Sequence, residues 1–245
     1  MSHQKTPYLA VAVTLASIAF ALSPLMTREF AGFRPEQFPV VLDFWPVQPA
    51  GWAFGIWGVI YVWLILGAIW GLVNARRDFD WERMRAPLLV SLGLGTFWIA
   101  VANASPLLAT FMIGAMAAFA IAAMLRAGTT AAIWQAAPVA LYAGWLTVAT
   151  GVATGVVLGG YGVLTAQVSA LVMLVAVLVV ALIVQSARPA EWAYPLAVIW
   201  ALAGVIAANV ALANWSVILL ATVGIVALAL GFLLRGGPRS LRWKN

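Results

Sequence analysis

The apolar residues of the chain fall into eight long runs, separated by short segments that are polar or contain glycine and proline. A helix rises about 1.5 Å per residue, so a run of about 20 residues crosses the roughly 30 Å of hydrocarbon in a bilayer. This pattern predicts an all-α integral membrane protein with eight transmembrane helices. The predicted helices cover residues 8–26, 51–73, 87–103, 106–125, 133–157, 164–184, 192–211 and 214–235.

The basic residues test the number of helices independently. With eight helices, 11 of the 13 lysines and arginines lie on one side of the membrane, and only Arg28 and Arg34 lie on the other. By the positive-inside rule we expect both termini in the cytoplasm, with residues 27–50 on the opposite side. Continuous apolar helices also favour a bacterial inner membrane over an outer one. The net charge of +6 follows from this topology, so no nucleic-acid partner is expected.

Composition removes several classes of chemistry. Hydrophobic residues make up 65% of the chain and charged residues 8%, which is typical of a membrane protein. There is no cysteine, and the only histidine, His3, precedes the first helix. No thiolate or imidazole is therefore available for a metal within the membrane. No carboxylate lies inside a predicted helix, which disfavours ion-coupled transport, although a cation site made of unwound backbone stays open.

Aromatic residues concentrate in residues 45–63, which read WPVQPAGWAFGIWGVIYVW. At about 100° per residue, Phe54, Trp57 and Tyr61 share one face of the second helix. Two interpretations stay open for this face: a packed contact with another helix, or the wall of a ligand pocket, since pockets are mostly apolar and aromatic. On the opposite face, Trp52 and Trp70 are interpreted as anchors at the membrane interface, and Trp63 as facing lipid or packing against a helix.

The fifth predicted helix repeats this pattern. Tyr142 and Trp145 share a face with Ala149, and the change from large to small residues leaves space beneath the two rings. A stripe of threonines on another face is interpreted as bonding the helix's own carbonyl groups. The motif GxxxGxxxG at residues 151–159 predicts close helix contact, either within the chain or between protomers.

Polar residues inside the predicted helices are few. Asn103 needs hydrogen-bond partners where lipid offers none, so it either joins helices or donates to a ligand carbonyl. Asn209 and Asn214 have the same two interpretations, with contact between helices favoured. The loop at residues 27–50 contains four prolines and several aromatic residues. It is too apolar to extend into water, and we predict that it folds onto the bundle as a lid.

Three stretches of the chain resemble the tryptophan-rich sensory protein family, also called the TspO/MBR or translocator-protein group. PAGWAFGIWGVIY at residues 49–61 is similar to the pattern that opens the family's second helix. Asn103, followed by a proline three residues later, is similar to the end of its third helix. PVALYAGWLTVAT at residues 138–150 is similar to the Tyr-x-x-Trp and Ala-Thr run of its fifth helix.

The chain also departs from the family pattern. Phe54 and Trp57 are three residues apart where the family has four, the Trp expected shortly after Asn103 is absent, and Ala153 stands where the family usually has Asn. The chain resembles the longer, eight-helix bacterial branch. We therefore expect a TspO-like five-helix membrane domain at residues 1–157, with its lid, followed at residues 158–245 by three additional transmembrane helices and a basic tail.

The resemblance implies a pocket for flat hydrophobic ligands, porphyrins and sterols among them, often in a homodimer within the lipid bilayer. Of these ligands a tetrapyrrole such as a porphyrin is favoured. No cofactor is required. A tetrapyrrole that binds should be metal-free or weakly ligated, because the helices lack His and Cys. Arg28 or Arg34 is expected to pair with porphyrin propionates at the rim. Carried over residue by residue, the ligand-binding candidates are Trp45, Phe54, Trp57, Tyr61, Asn103, Tyr142, Trp145 and Ala149.

Three functions fit these observations. The favoured one is a membrane receptor or carrier with a sensory or regulatory role. The alternatives are a small-molecule transporter that uses the additional helices, and a light-dependent porphyrin-degrading enzyme. The sequence contains no acid–base pair or nucleophile of the kind that conventional catalysis needs, so it weighs against an enzyme and offers no catalytic or metal-binding residue.

Overall fold

The computed structural model describes residues 8–27 and 32–235, and within them the chain is helical with no strand. Eight helices are long and apolar enough to cross a membrane, so the predicted all-α membrane fold is confirmed. Short 3₁₀ segments lie at Ser23–Met26, Pro35–Gln37 and Gly51–Gly55. The helices are α1 (Tyr8–Leu22), α2 (Ile56–Asn74), α3 (Phe79–Ala104), α4 (Pro106–Arg126), α5 (Ala136–Gly160), α6 (Ala166–Ala187), α7 (Ala193–Val210) and α8 (Trp215–Arg235).

The predicted start of the third helix was wrong, because α3 begins at Phe79 and not at residue 87. The cause is an N-cap that hydropathy does not reveal. The Asp78 carboxylate accepts hydrogen bonds from the backbone N–H groups of Asp80 and Trp81 at 3.0 and 3.1 Å. Two carboxylates also lie in the first turn of α3, where the helix dipole favours negative charge. The first turns of α3 are therefore polar and precede the apolar run.

The bundle has two chemically different ends. The end that carries residues 32–50 and Arg34 is the loop end. The opposite end, which we call the arginine end, carries seven of the eight basic residues that the structure describes. This arrangement agrees with the predicted partition of charge, which only an even number of helices allows. The basic residues of the arginine end are Arg76, Arg77, Arg83, Arg85, Arg126, Arg188 and Arg235.

α5 is the central helix of the bundle. Twenty of its 25 residues are buried, because α2, α4, α6 and α7 all pack against it. Glycines allow this crowding. A methyl group on Gly144 would overlap the backbone carbonyl oxygen of Tyr194 in α7, and one on Gly151 would overlap Val177 in α6. Such close approach of backbones is a main source of packing energy between helices in lipid.

Residues 32–50 pack onto the loop end of the bundle. Trp45 and Val47 are buried there, against two glycines of α5. A methyl group on Gly159 would lie 2.8 Å from the Trp45 ring, and one on Gly155 would lie 3.1 Å from Val47. The GxxxGxxxG motif therefore receives loop side chains at two of its glycines and a helix of the same chain at the third.

The C-terminal helices lie against this core. α6 and α7 both contact α5, and α8 contacts both α6 and α7. The predicted boundary between residues 157 and 158 lies within α5, which packs against α2 and α4 as well as against α6 and α7. A division of the chain into two units at that point stays a prediction.

Arg85 is buried at the arginine end, with 2% of its surface exposed. Its guanidinium donates to the carbonyl oxygens of Gly71 and Ala75 at 3.0 and 2.9 Å. It also donates to the carbonyl oxygen of Arg76 at 2.9 Å and to the Glu82 carboxylate. The carbonyl groups at the end of a helix have no partner within the helix. Here the Gly71 and Ala75 carbonyls each accept one backbone N–H, from Ala75 and Asp78. Arg85 gives both a second, charged donor and so holds the turn between α2 and α3.

We expect Gly144→Ala to lower the melting temperature of the purified protein, because the added methyl group pushes α7 away from α5. Gly93→Ala in α3 is the matched control, since a methyl group there meets no atom within 4 Å. Alanine favours a helix over glycine by about 1 kcal/mol, so the control should melt at the same temperature or higher. Thermal unfolding in detergent checks both variants. Equal melting temperatures would contradict close α5–α7 packing.

We expect Arg85→Gln to lower the free energy of unfolding by about 2–4 kcal/mol, because three carbonyl groups lose a charged donor. Arg83→Gln is the control. Arg83 is half exposed and lies 4.0 Å from Asp80, and such surface pairs contribute less than about 1 kcal/mol. Denaturant unfolding in detergent micelles measures both changes. A loss for Arg85→Gln no larger than for Arg83→Gln would show that the α2 terminus does not depend on this guanidinium.

Candidate functional site

A cavity of about 510 Å³ lies inside the bundle, among α1, α2, α3, α4 and α5. It is nearer the loop end, because its walls include the end of α1 and the beginning of α2. The structure brings five of the eight candidate residues together in these walls. The five are Phe54, Trp57, Tyr61, Trp145 and Ala149.

Aromatic rings form a continuous part of the cavity wall. Trp57 and Tyr61 stack, with ring centroids 5.3 Å apart and planes 18° apart. Phe20 of α1 meets both rings edge-on, at 5.8 and 5.1 Å. Trp145 of α5 meets Phe54 and Trp57 edge-on, at 5.7 and 6.1 Å. These edge-to-face and stacked contacts are the geometries that aromatic pairs prefer, so the rings hold one another in place.

A 3₁₀ segment explains the three-residue spacing of Phe54 and Trp57. Gly51–Gly55 is a 3₁₀-helix, and α2 begins only at Ile56. A 3₁₀-helix has about three residues per turn, so residues three apart lie nearly in line along it. The sequence predicted a continuous α-helix from residue 51. In such a helix Phe54 and Trp57 would point about 60° apart around the helix axis. The start of the second α-helix is therefore corrected to Ile56, and both rings reach Trp145.

Tyr142 lies behind the cavity wall. Its side chain is completely buried, and its hydroxyl lies 3.0 Å from Ser91 Oγ in α3. The Ser91 hydroxyl is also 2.8 Å from the carbonyl oxygen of Met116, to which it donates. The Tyr142 ring contacts Phe20 at 5.6 Å. Tyr142 therefore supports the wall from the side away from the cavity.

Trp45 and Asn103 also lie outside the cavity walls. The Trp45 ring packs on Gly159, and its centroid is 5.8 Å from that of Phe38 in the same loop. Asn103 is in the last turn of α3. There Gln37 Nε2 donates to the carbonyl oxygen of Asn103 at 3.3 Å. Both residues belong to the contact between the loop and the bundle.

Sequence reasoning missed several residues that line the cavity, among them Phe20, Trp98, Ile113 and Met116. Trp98 precedes Asn103 by five residues, whereas the resemblance directed attention to the positions after Asn103. Its indole N–H donates to the carbonyl oxygen of Ala109 in α4 at 2.9 Å. The aromatic character of Trp98 was the available signal. Nothing in the sequence distinguishes Ile113 and Met116 of α4 as cavity residues, since similar aliphatic residues face lipid along the same helix.

A second cavity, of about 50 Å³, adjoins the first. The two share five lining residues, of which three are aromatic: Phe54, Trp98 and Trp145, with Ile113 and Ala149. The smaller cavity extends from these rings to the loop, where Phe33 and Pro49 line it. The shared rings thus separate the main cavity from the underside of the loop.

The chemistry of the main cavity is that of an apolar binding site. None of the residues that line it carries a carboxylate, a basic group or an imidazole. Trp145 Nε1 is buried and has no hydrogen-bond partner among the described residues. Residues 8–27 and 32–235 contain no group of three or more histidine, aspartate or glutamate side chains that could hold a metal ion. Recognition in this cavity rests on shape and on aromatic faces.

An eight-helix membrane bundle with an uncharged, ring-lined cavity of this size defines a class, that of membrane ligand-binding or transport proteins. The chain belongs to the TSPO-like protein family, whose sequence model matches residues 40–234. The match extends from the loop through α8, so it includes the three helices after the resembling region. A search of curated proteins and a search of solved structures found no match.

We expect Tyr142→Phe to lower the free energy of unfolding by about 1 kcal/mol, because a buried hydrogen bond to Ser91 is lost. Ser91→Ala should cost at least as much, since its hydroxyl also bonds Met116. The double variant should cost less than the sum of the two, because both single changes remove the same bond. Denaturant unfolding of the three variants in detergent measures the coupling. Simple additivity would mean that the two hydroxyls do not interact.

Proposed function

We propose that this protein is a membrane receptor or carrier that binds a flat hydrophobic ligand in the 510 Å³ cavity, with a sensory or regulatory role. The ligand class that fits best is a tetrapyrrole such as a porphyrin. The observation that carries the proposal is the cavity itself. Its volume falls within the range of about 300–1,000 Å³ of small-molecule sites, and its walls are apolar and aromatic, as such sites usually are.

The shape of the walls favours a planar ligand. The nearly parallel rings of Trp57 and Tyr61 lie along α2, and Trp145 stands almost perpendicular to Trp57, with 82° between their planes. A flat conjugated ring can stack on one of these faces and meet the edge of another. Each aromatic pair contributes about 0.5–1.5 kcal/mol beyond the burial of area. Several such contacts around one ligand give useful affinity without any charged group.

The lack of charge in the walls limits how a porphyrin is placed. Its ring belongs in the cavity, while its propionates remain near the loop end, where Arg34 is exposed. Arg28, the other predicted partner, lies outside the described residues. The lining residues offer a metal no imidazole, thiolate or carboxylate, and only the weaker thioether of Met116 and phenol of Tyr61. The bound tetrapyrrole is therefore metal-free or weakly ligated.

We further propose that the protein resides in a bacterial inner membrane with both termini in the cytoplasm. The support is the arginine end, which carries seven of the eight basic residues that the structure describes. Basic residues in short loops mark the cytoplasmic side of helical membrane proteins.

Titration of the purified protein in detergent with protoporphyrin IX, in the dark, tests the ligand proposal through quenching of tryptophan fluorescence. We expect saturable binding. The double variant Trp57→Phe plus Trp145→Phe should bind about fivefold more weakly, because two large stacking faces become smaller. Ala149→Phe should weaken binding further, since its ring occupies part of the cavity.

The matched control is Trp134→Phe plus Trp215→Phe, which removes two exposed tryptophans that do not line the cavity. It should bind as the unchanged protein does. Binding that is absent, or that is equally strong in the cavity variants and the control, would reject the cavity as a porphyrin site.

A further inference from the structure

α7 runs alongside residues 46–53, the segment that leads from the loop into α2. This contact lies outside the cavity, because no residue of α7 lines it. Three hydrogen bonds of 2.9 Å join the two segments. They run from Asn209 Nδ2 to the Pro46 carbonyl, from the Ala50 N–H to the Gly204 carbonyl, and from Trp200 Nε1 to the Ala53 carbonyl.

The bond from Trp200 acts on the 3₁₀ segment that aligns Phe54 with Trp57. In that segment the Ala53 carbonyl accepts from the N–H of Ile56, three residues later. Trp200 gives the same carbonyl a second donor, and its ring meets Trp52 edge-on at 5.0 Å. Because a 3₁₀ turn has weaker internal hydrogen bonds than an α-helix, an outside donor helps to maintain it. Trp200 thus favours the register that brings Phe54 to the cavity.

Gly204 sets how closely the segment approaches α7. A methyl group at Gly204 would lie 2.7 Å from Cβ of Ala53 and 2.9 Å from Cβ of Pro49. Both distances are too short for carbon atoms to keep, so the segment would have to move. Pro49 also lines the small cavity beneath the loop, next to Phe54. A shift at Gly204 would therefore reach the rings of the main cavity.

Asn209 ties the same segment to the other C-terminal helices. Its side chain is completely buried, and besides bonding Pro46 it accepts from Asn214 Nδ2 at 3.0 Å. Asn214 in turn exchanges hydrogen bonds with Gln167 of α6, at 3.0 and 2.8 Å. Buried polar groups that satisfy one another in this way make a unique arrangement more rigid. The chain of amides links the loop with α6, α7 and the start of α8.

From these contacts we infer that α6–α8 brace the aromatic wall of the cavity, with Trp200, Gly204 and Asn209 as positioning residues. Ligand affinity depends on these residues although they do not touch the ligand. This part of the inference rests on the proposed function. The bracing of residues 46–57 by α7 does not, and it can be measured on the protein without ligand.

The experiment compares the unchanged protein with Trp200→Phe and Gly204→Ala. Trp200→Phe removes the N–H donor and keeps an aromatic ring, and Gly204→Ala displaces the segment without removing a side-chain donor. Neither change empties the core, whereas replacing the buried Asn209 risks the fold itself. The control is Trp192→Phe, because Trp192 is 41% exposed and Trp200 is 40% exposed, and Trp192 contacts Trp63 and not the segment.

Three quantities are measured for each protein: the melting temperature, the hydrogen exchange of peptides that cover residues 46–57, and the dissociation constant for protoporphyrin IX. We expect Trp200→Phe to exchange about fivefold faster in these peptides and to bind about fivefold more weakly, as loss of one hydrogen bond implies. Gly204→Ala should change both quantities in the same direction, because its methyl group displaces the segment. The melting temperature should change little, and Trp192→Phe should match the unchanged protein throughout.

Unchanged exchange in residues 46–57 would overturn the inference, and so would faster exchange with unchanged affinity. A weaker affinity would also overturn it if the melting temperature of the same variant falls too, because the whole protein would then be destabilised. If the unchanged protein binds no porphyrin, the proposed function fails. Faster exchange confined to residues 46–57 in the two α7 variants would then still support the brace, and exchange equal to the control would reject it.

Discussion

Helices in a bilayer gain little by burying apolar side chains against one another, because lipid tails are as apolar as leucine. Their association depends on close contact between backbones, and in this protein that contact is concentrated on α5. Gly144 and Gly151 admit α7 and α6, and Gly155 and Gly159 admit the loop. With neighbours on nearly every side, α5 becomes the fixed reference for the bundle. Because Trp145 is a residue of α5, the helices packed around α5 also fix the position of Trp145.

A core packed this tightly keeps a cavity only where its walls cannot collapse. Aromatic rings suit that task, because they are large, rigid and hold one another edge to face. Phe20, Phe54, Trp57, Tyr61 and Trp145 form such a set around the cavity. Tyr142, bonded to Ser91, supports them from behind. The dense aromatic segment near the second helix is thus explained by the need to keep an apolar space open inside a bundle of helices.

The loop contacts both α5 and α7. Its Trp45 and Val47 fill the glycine faces of α5, and the segment after them is held by α7. The family match from residue 40 to residue 234 is consistent with this interdependence, since it includes the loop, the cavity helices and α6–α8 together. α7 therefore contacts the segment that leads to the aromatic wall, although no residue of α6–α8 lines the cavity.

The sequence by itself determined the eight spans, the all-α class and the partition of charge, since the length of an apolar run and the placement of arginines are local properties. Five of its candidates line the cavity. Four of them are aromatic residues at helical spacing, which stand out in a sequence, and the fifth, Ala149, is the small residue one turn beyond Trp145. Only the tertiary structure decided that Trp45, Asn103 and Tyr142 lie outside the cavity walls and that Phe20 and Trp98 belong to them. The physical reason lies in the solvent. In lipid, both the buried and the exposed faces of a helix are apolar, so the sequence pattern cannot distinguish a side chain that faces the cavity from one that faces the membrane.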